Sequence, residues 1–194
     1  MVRDLILSLK ISLFTIFVTG IIYPLFIMGA AYTFFYKKAT GSLVLDEHNN
    51  IIGSELIGQN FKNPSYFFSR PSDAGNGYDG TRSGGSNFAP TSEKLLEKIH
   101  ERIETLKPLN TAPIPIDLVT SSASGLDPHI SLQAAYWQAP KIAMQREVSL
   151  KRIITIIDDQ IHGFSFYGLG IPYLNVLKLN LTLDQFFGSP TEDK

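Results

Sequence analysis

Ser122-Ala-Ser124-Gly-Leu-Asp127-Pro-His129 puts hydroxyl, carboxylate and imidazole groups within eight residues. Those are the three types a serine hydrolase needs, with the imidazole drawing the hydroxyl proton and the acid orienting the imidazole. The Gly-x-Ser-x-Gly elbow that exposes such a nucleophile is absent. Asp127-Pro128 ahead of Ser131 reads better as the entry to a helix, with Asp127 bonding backbone in the turn. A membrane-anchored extracytoplasmic hydrolase on Ser124 and His129, or a binding module, is therefore the alternative, and no catalytic residue is assigned.

A second candidate, Ser83-Gly-Gly-Ser-Asn87, offers backbone N–H groups to an anion. It lacks the Gly-Lys-Ser/Thr ending of a phosphate loop and no strand precedes it, so it reads as a structural loop. His48, His100, His129 and His162 form no His-x3-His or His-Glu-x-x-His pair, which leaves a zinc site without support. The chain has no cysteine, so disulfides and thiolate metal sites are excluded. Arg70 before Pro71 bridges loop carbonyls or carboxylates through its planar fork, and Tyr136 and Trp137 read as core or interface aromatics.

The elements that must position these groups follow from periodicity. Residues 42–53 place two short apolar stretches around Asn49-Asn50, a hairpin pattern. Residues 72–90 are rich in Gly, Ser and Asn and form a long irregular loop, a length that is usually functional or flexible. Thr91 or Ser92 caps a helix with Glu93 in its first turn. Leu95, Ile99, Ile103 and Leu106 face inward, Glu97, Lys98, Glu101 and Arg102 face outward, and Pro108 stops it. Pro113 to Thr120 reads as an edge strand. Ser131 caps a helix through Gln138 that Pro140 ends or kinks, and Ser149 caps another over Leu150 to Ile161. Leu177, Leu179, Leu181 and Leu183 alternate with polar residues, the pattern of a half-buried strand.

All of this lies behind twenty-six consecutive uncharged residues, Ile11 to Tyr36. At about 1.5 Å per residue they span roughly 39 Å, more than a hydrocarbon core of about 30 Å, an excess that tilt absorbs. A cleaved signal peptide has a shorter apolar region and a small-residue cleavage site; here the run leaves through Phe34-Phe35-Tyr36, so it reads as a retained anchor. Tyr32, Tyr36 and Lys37-Lys38 resemble an interfacial belt. Pro24 is tolerated in membrane helices, and Gly29-Ala30-Ala31 offers a small face for helix packing. Arg3 and Lys10 ahead of the span, against Asp46 and Glu47 beyond Lys37-Lys38, favour a cytoplasmic N-terminus and an outer domain.

The organisation expected is a tail and anchor over residues 1–38, then one extracytoplasmic domain over 39–194, with an α+β fold of mixed helices and short strands. Of 17 basic residues, all but Arg3, Lys10, Lys37 and Lys38 fall in that domain, giving 13 against 17 acidic (18 less Asp4). No basic patch stands out, so nucleic acid is not a partner.

Four segments occur in order behind the anchor: Ile57-Gly-Gln-Asn-Phe-Lys-Asn-Pro-Ser-Tyr-Phe-Phe-Ser-Arg-Pro-Ser72, Ser83 to Asn87, Pro115 to Ile130, and Asn175-Val-Leu-Lys-Leu-Asn180. Together they resemble the C subunit of the bacterial Kdp potassium-transporting P-type ATPase, over nearly the whole chain to about Asp184. The resemblance implies a non-catalytic accessory subunit of a high-affinity, ATP-driven potassium importer in the bacterial inner membrane. Its partners would be a channel-like translocating subunit, a P-type ATP-hydrolysing subunit, a small single-helix subunit and the bilayer. It also implies a catalytic-chaperone role that raises the pump's affinity for ATP. Ser124, Gly125 and Gln138 are the nucleotide-binding positions that role would use, with no firmly bound cofactor and ATP met only through the complex. The chain departs from the family pattern at Asp73, at Phe88-Ala89 and at Pro140-Lys141.

Overall fold

The computed structural model describes residues 1–46, 48–163 and 170–190. Glu47 of the expected hairpin turn lies outside the described residues. The chain divides into two compact units, Met1–Leu43 and Val44–Lys194.

The first unit is helical: α1 (Val2–Phe17), a π-helical turn (Val18–Ile22) and α2 (Tyr23–Phe34) run on without a break, followed by a short α3 (Tyr36–Ala39). Among the described residues, Val2–Phe34 is the one helix long and apolar enough to cross a membrane, and none of its most apolar window is buried by protein. The π turn has an identifiable cause. Pro24 has no N–H to donate, and the widened turn ahead of it lets the Tyr23 N–H reach the Val18 carbonyl. Thr19 and Thr33 turn their hydroxyls back to Thr15 and Gly29 carbonyls, hiding polar groups that lipid would not solvate.

The second unit is α+β. The expected hairpin forms as β1 (Leu43–Leu45) and β2 (Ile51–Ser54). Its turn is held by Asp46, which accepts from the His48 and Asn50 N–H groups, while Asn49 takes the left-handed conformation that Asn tolerates. The Ser92-led helix forms as α4 (Glu93–Leu106). A second two-stranded antiparallel sheet joins β3 (His129–Ser131) to β4 (Tyr173–Asn175), with Ile130 opposite Leu174. Helices α5 (Leu132–Gln145) and α7 (Val176–Phe187) pack on this sheet, and α6 (Leu150–Asp159) packs on α5 and α7. Ile130, Ile142, Ile153, Ile157, Leu174 and Leu179 form the centre of the core.

Three expectations are corrected. The Leu177–Leu183 alternation is a helix: Asn175 caps it by accepting from the Lys178 N–H, and Val176, Leu179, Asn180 and Leu183 share a helical face that the core covers. A wide buried face satisfied both periods. Of the two outcomes expected at Pro140, ending or kinking the helix, the first does not occur: the helix runs on to Gln145. Burial of Gln138, Ala139, Lys141, Ile142 and Ala143 outweighs the lost hydrogen bond and ring clash of an interior proline, together about 3 kcal/mol. Residues 113–120 hold a 3-10 turn, Ile116–Leu118, rather than an edge strand. No strand pairs with them among the described residues; Asp117 instead reaches β3 with its side chain and accepts from the Ser131 N–H.

Candidate functional site

The two Gly/Ser loops lie against one another. The Gly84 N–H and the Ser83 hydroxyl both donate to the Ser124 carbonyl, at 2.8 and 3.1 Å, and the Gly58 N–H donates to the Leu126 carbonyl at 2.8 Å. A Cβ at Gly125 would sit 2.4 Å from the Gly84 carbonyl oxygen, and its φ of +66° is itself a glycine conformation. The Gly84 N–H, which a phosphate cradle would use, is therefore engaged with the neighbouring loop.

The Ser, Asp and His groups take separate partners. His129 Nδ1 lies 3.1 Å from Asp127 Oδ1, and Arg70 donates to Asp127 Oδ2 at 3.2 Å. Ser124 Oγ instead accepts from the Leu126 N–H, with Ser122 Oγ at 3.4 Å. The hydroxyl and the imidazole share no described hydrogen bond, so the geometry of a nucleophile and its base is absent here. Partial burial would raise the Asp127 carboxyl, but hydrogen bonds from His129 and the charges of His129 and Arg70 hold it below the usual carboxylate range. His129 also packs edge-on to Tyr173, with ring centroids 4.5 Å apart. Among the described residues, no group of three or more His, Asp or Glu could hold a metal ion.

Lys98 and Arg102 do not simply face solvent. They converge on Asp73 from α4, with Nζ at 2.5 Å and Nη2 at 3.6 Å, and the Ser121 hydroxyl donates to the same carboxylate. Arg102 also donates to the Val119 carbonyl at 2.9 Å. Burial pushes the Asp73 carboxyl up, but the Lys98 and Ser121 hydrogen bonds and the two positive charges bring it below its ordinary value. Asp73, one of the departures, thus ties both loops to α4. The i, i+4 spacing of Lys98 and Arg102 was the available signal, though it names no partner.

Gln138 lies apart from loop chemistry, wholly buried on α5. Its amide accepts from the Phe68 N–H at 2.7 Å and donates to the Phe68 carbonyl at 3.3 Å. Asn180 on α7 does the same for Phe67, at 2.8 and 3.0 Å. Lys141 donates to the Tyr66 carbonyl at 2.9 Å, and Arg146 Nε donates to the Ser65 carbonyl at 2.8 Å. Residues 65–68 leave a turn and join no strand among the described residues, and three helix side chains with Arg146, just past the end of α5, bond their backbone in place of a sheet neighbour. Lys141 is 3% exposed, 3.3 Å from the Phe68 ring centroid, and burial lowers its ammonium to about 7.

What the arrangement can do is hold its own loops and backbone. The comparisons with known proteins then decide the family. The family model described as "KdpC: K+-transporting ATPase, c chain" matches residues 5–185. The chain belongs to the KdpC family. A Myxococcus xanthus protein named "Potassium-transporting ATPase KdpC subunit" is 46% identical over 184 residues, 93% of this chain and 87% of its own. Proteins of the same name from Koribacter versatilis and Polynucleobacter asymbioticus are 42% and 48% identical, covering 98% and 86% of this chain and 99% and 90% of their own. Like the other members it resembles, this KdpC-family chain is a subunit of a potassium-transporting ATPase. It carries one N-terminal helix of membrane-spanning length.

Proposed function

We propose that this chain is a non-catalytic accessory subunit that stabilises a high-affinity, ATP-driven potassium importer. Its N-terminus is cytoplasmic and its α+β unit lies outside the bacterial inner membrane. The observation that carries this reading is that the conspicuous polar groups engage the protein's own backbone or each other. Among the described residues no nucleophile–base pair accompanies a match that covers nearly the whole chain. Its partners are the channel-like translocating subunit, the P-type ATP-hydrolysing subunit and the small single-helix subunit. Pro24, Gly29, Ala30 and Ala31 form the face by which the anchor packs on them; a Cβ added at Gly29 would meet nothing within 4 Å.

The chaperone role belongs to the same reading, as an effect transmitted through the partners. An outer domain is separated by the bilayer from cytosolic nucleotide, and the Gln138 amide is already bonded to Phe68. Gly125 and Gln138 therefore act by holding the loop pair and the core, while Ser124 sits at the loop surface. Coupling to ATP then requires a two-state element that both sides of the membrane bias.

The deciding experiment is purification of the complex through a tag on this chain. Recovery of all four subunits is expected, and a stable lone monomer would overturn the reading. The chain has no cysteine, so one placed within residues 72–90 reports topology. Labelling of whole cells by an impermeant maleimide is expected, whereas protection would reverse the orientation. An unchanged KM for ATP when this subunit is removed from the complex would remove the chaperone role.

A further inference from the structure

The β1–β2 hairpin and the turn after it carry apolar side chains that the protein's own core does not cover. Leu45, Ile51, Ile52 and Leu56 are 50%, 64%, 40% and 59% exposed, and neither they nor Val44 and Ile57 belong to the core cluster. A two-stranded hairpin is marginal in water, so an aliphatic one needs a cover. Its base is nevertheless fixed to the domain. Gln59 donates to the Ile52 carbonyl, Asn175 donates to the Glu55 carbonyl, and Lys178 pairs with the Glu55 carboxylate at 2.8 Å. A Cβ at Gly53 would lie 2.1 Å from the Gln59 amide, so this residue must stay small for Gln59 to pack there. Beside the tip, Asp46 accepts from the His48 N–H and from both the backbone and the side chain of Asn50.

We infer that this hairpin is a docking surface for another protein chain of the transporter, one presenting an apolar strip flanked by basic groups. Two observations select a protein over lipid. Residues 39–60 contain no Lys, Arg, Trp, Tyr or Phe, which are the residues that hold a surface at headgroups. The sequence of the tip, Asp46-Glu47, is acidic, and the Asp46 hydrogen bonds from Asn50 hold its carboxyl below the ordinary range. Anionic lipid repels such a tip and a basic protein rim attracts it. Covalent reach narrows the partner further. Seven residues from Lys38 to Leu45 extend at most about 25 Å, so the matching strip lies near the end of the membrane span. The inference rests on the accessory-subunit reading and adds to it which surface is used.

The test uses Ile51→Cys carrying one environment-sensitive fluorophore, with Thr111→Cys as the exposed control. The label is read in the intact complex and on this chain alone in vesicles of mixed phosphatidylcholine and phosphatidylglycerol. The expected result is a blue shift and a severalfold loss of iodide quenching at position 51 in the complex only. Shielding in vesicles without partners would assign the surface to lipid, and equal quenching in both settings would leave it without a cover; either overturns the inference. The double variant Leu45→Lys, Ile51→Lys is expected to lower recovery of partner subunits at least about tenfold, equivalent to about 1.4 kcal/mol. Its melting temperature should stay near wild type because the positions are exposed. Unchanged recovery would overturn the inference too. If the unsubstituted chain fails to recover partners, the accessory-subunit reading falls; if it recovers them while position 51 stays quenchable, only the docking surface falls.

Discussion

The anchor unit and the α+β unit invert the usual arrangement in opposite ways. In the anchor, no residue of α1, the π turn or α2 is buried, and Leu, Ile and Phe project on every side. In the α+β unit, Gln138, Lys141 and Asn180 lie buried in the core. The anchor's apolar side chains are covered by nothing in the chain itself, whereas the domain supplies its buried amides with backbone partners. Exposed apolar surface marks where other molecules must come. Satisfied buried polarity marks where the fold looks after itself.

The sharpest way to break the comparison is at Gln138 or Asn180. Replacing Gln138 by Leu leaves the Phe68 N–H and C=O buried without partners, at about 1–3 kcal/mol each. A loss of about 4 kcal/mol is expected in thermal or denaturant unfolding of the detergent-solubilised chain, with a similar loss for Asn180→Leu. A change below about 1 kcal/mol would mean that residues 65–68 find other partners or water.

Lys141 gives the next effect, and its sign separates it from the amides. Burial lowers the folded ammonium to about 7, against an ordinary value of 10.5. The unfolded chain therefore binds more protons between those values, so stability rises as pH rises through that window. The carbonyl of Tyr66 and the ring of Phe68 favour the charged form and reduce the full linkage, so a gain of about 2 kcal/mol is expected by pH 10. Lys141→Met should flatten that slope. An equal slope in both proteins would show that Lys141 stays charged when folded.

Asp73 comes third. Its carboxyl is held below 3.8 by Lys98, Ser121 and Arg102 against the opposing effect of burial. The stabilisation is thus present above the ordinary carboxylate value and is lost as pH falls through the lowered folded one. Lys98 is well exposed, so Asp73→Asn should cost only about 1 kcal/mol at neutral pH. It should also shallow the acid limb of the stability profile. An acid limb identical to wild type would assign that limb elsewhere, with Asp127 the first alternative.

Much of this was legible in the sequence where a local rule decides. The uncharged run, the hairpin around Asn49-Asn50, the Ser92 and Ser131 helix starts and the turn-bonding of Asp127 each follow from residues within a few positions of one another. The ordered segments also carried the family. What escaped depends on distant partners. Gln138 and Phe68 are seventy residues apart, and Asn180 and Phe67 are 113 apart, so nothing local shows that helix side chains take the place of a sheet neighbour. The α7 leucines misled for a related reason. Alternation fits a strand only if one face is wet, and this helix is covered over a wide arc. The Asp73 clamp was hidden because a carboxylate, an ammonium and a guanidinium become a site only when two loops and α4 meet.

The smallest effect on stability should come from the anchor, and there its smallness is the point. A Cβ at Gly20 or Gly29 meets nothing within 4 Å, so Gly29→Leu introduces no clash in the isolated chain. Replacing a mid-helix glycine even favours the helix by up to about 1 kcal/mol. Melting of the α+β unit and the helix content of the solubilised chain should therefore match wild type. If the small face packs against a partner helix, the added side chain separates the two backbones, and subunit recovery should fall although the chain is as stable as before. Gly20→Leu, at the π turn, tests whether the contact extends along the helix. Full recovery with both variants would mean that the anchor meets only lipid, leaving the docking surfaces of the α+β unit to hold the complex. A melting change instead would show that the glycines serve the chain's own folding, and the contrast between the two units would lose its clearest case.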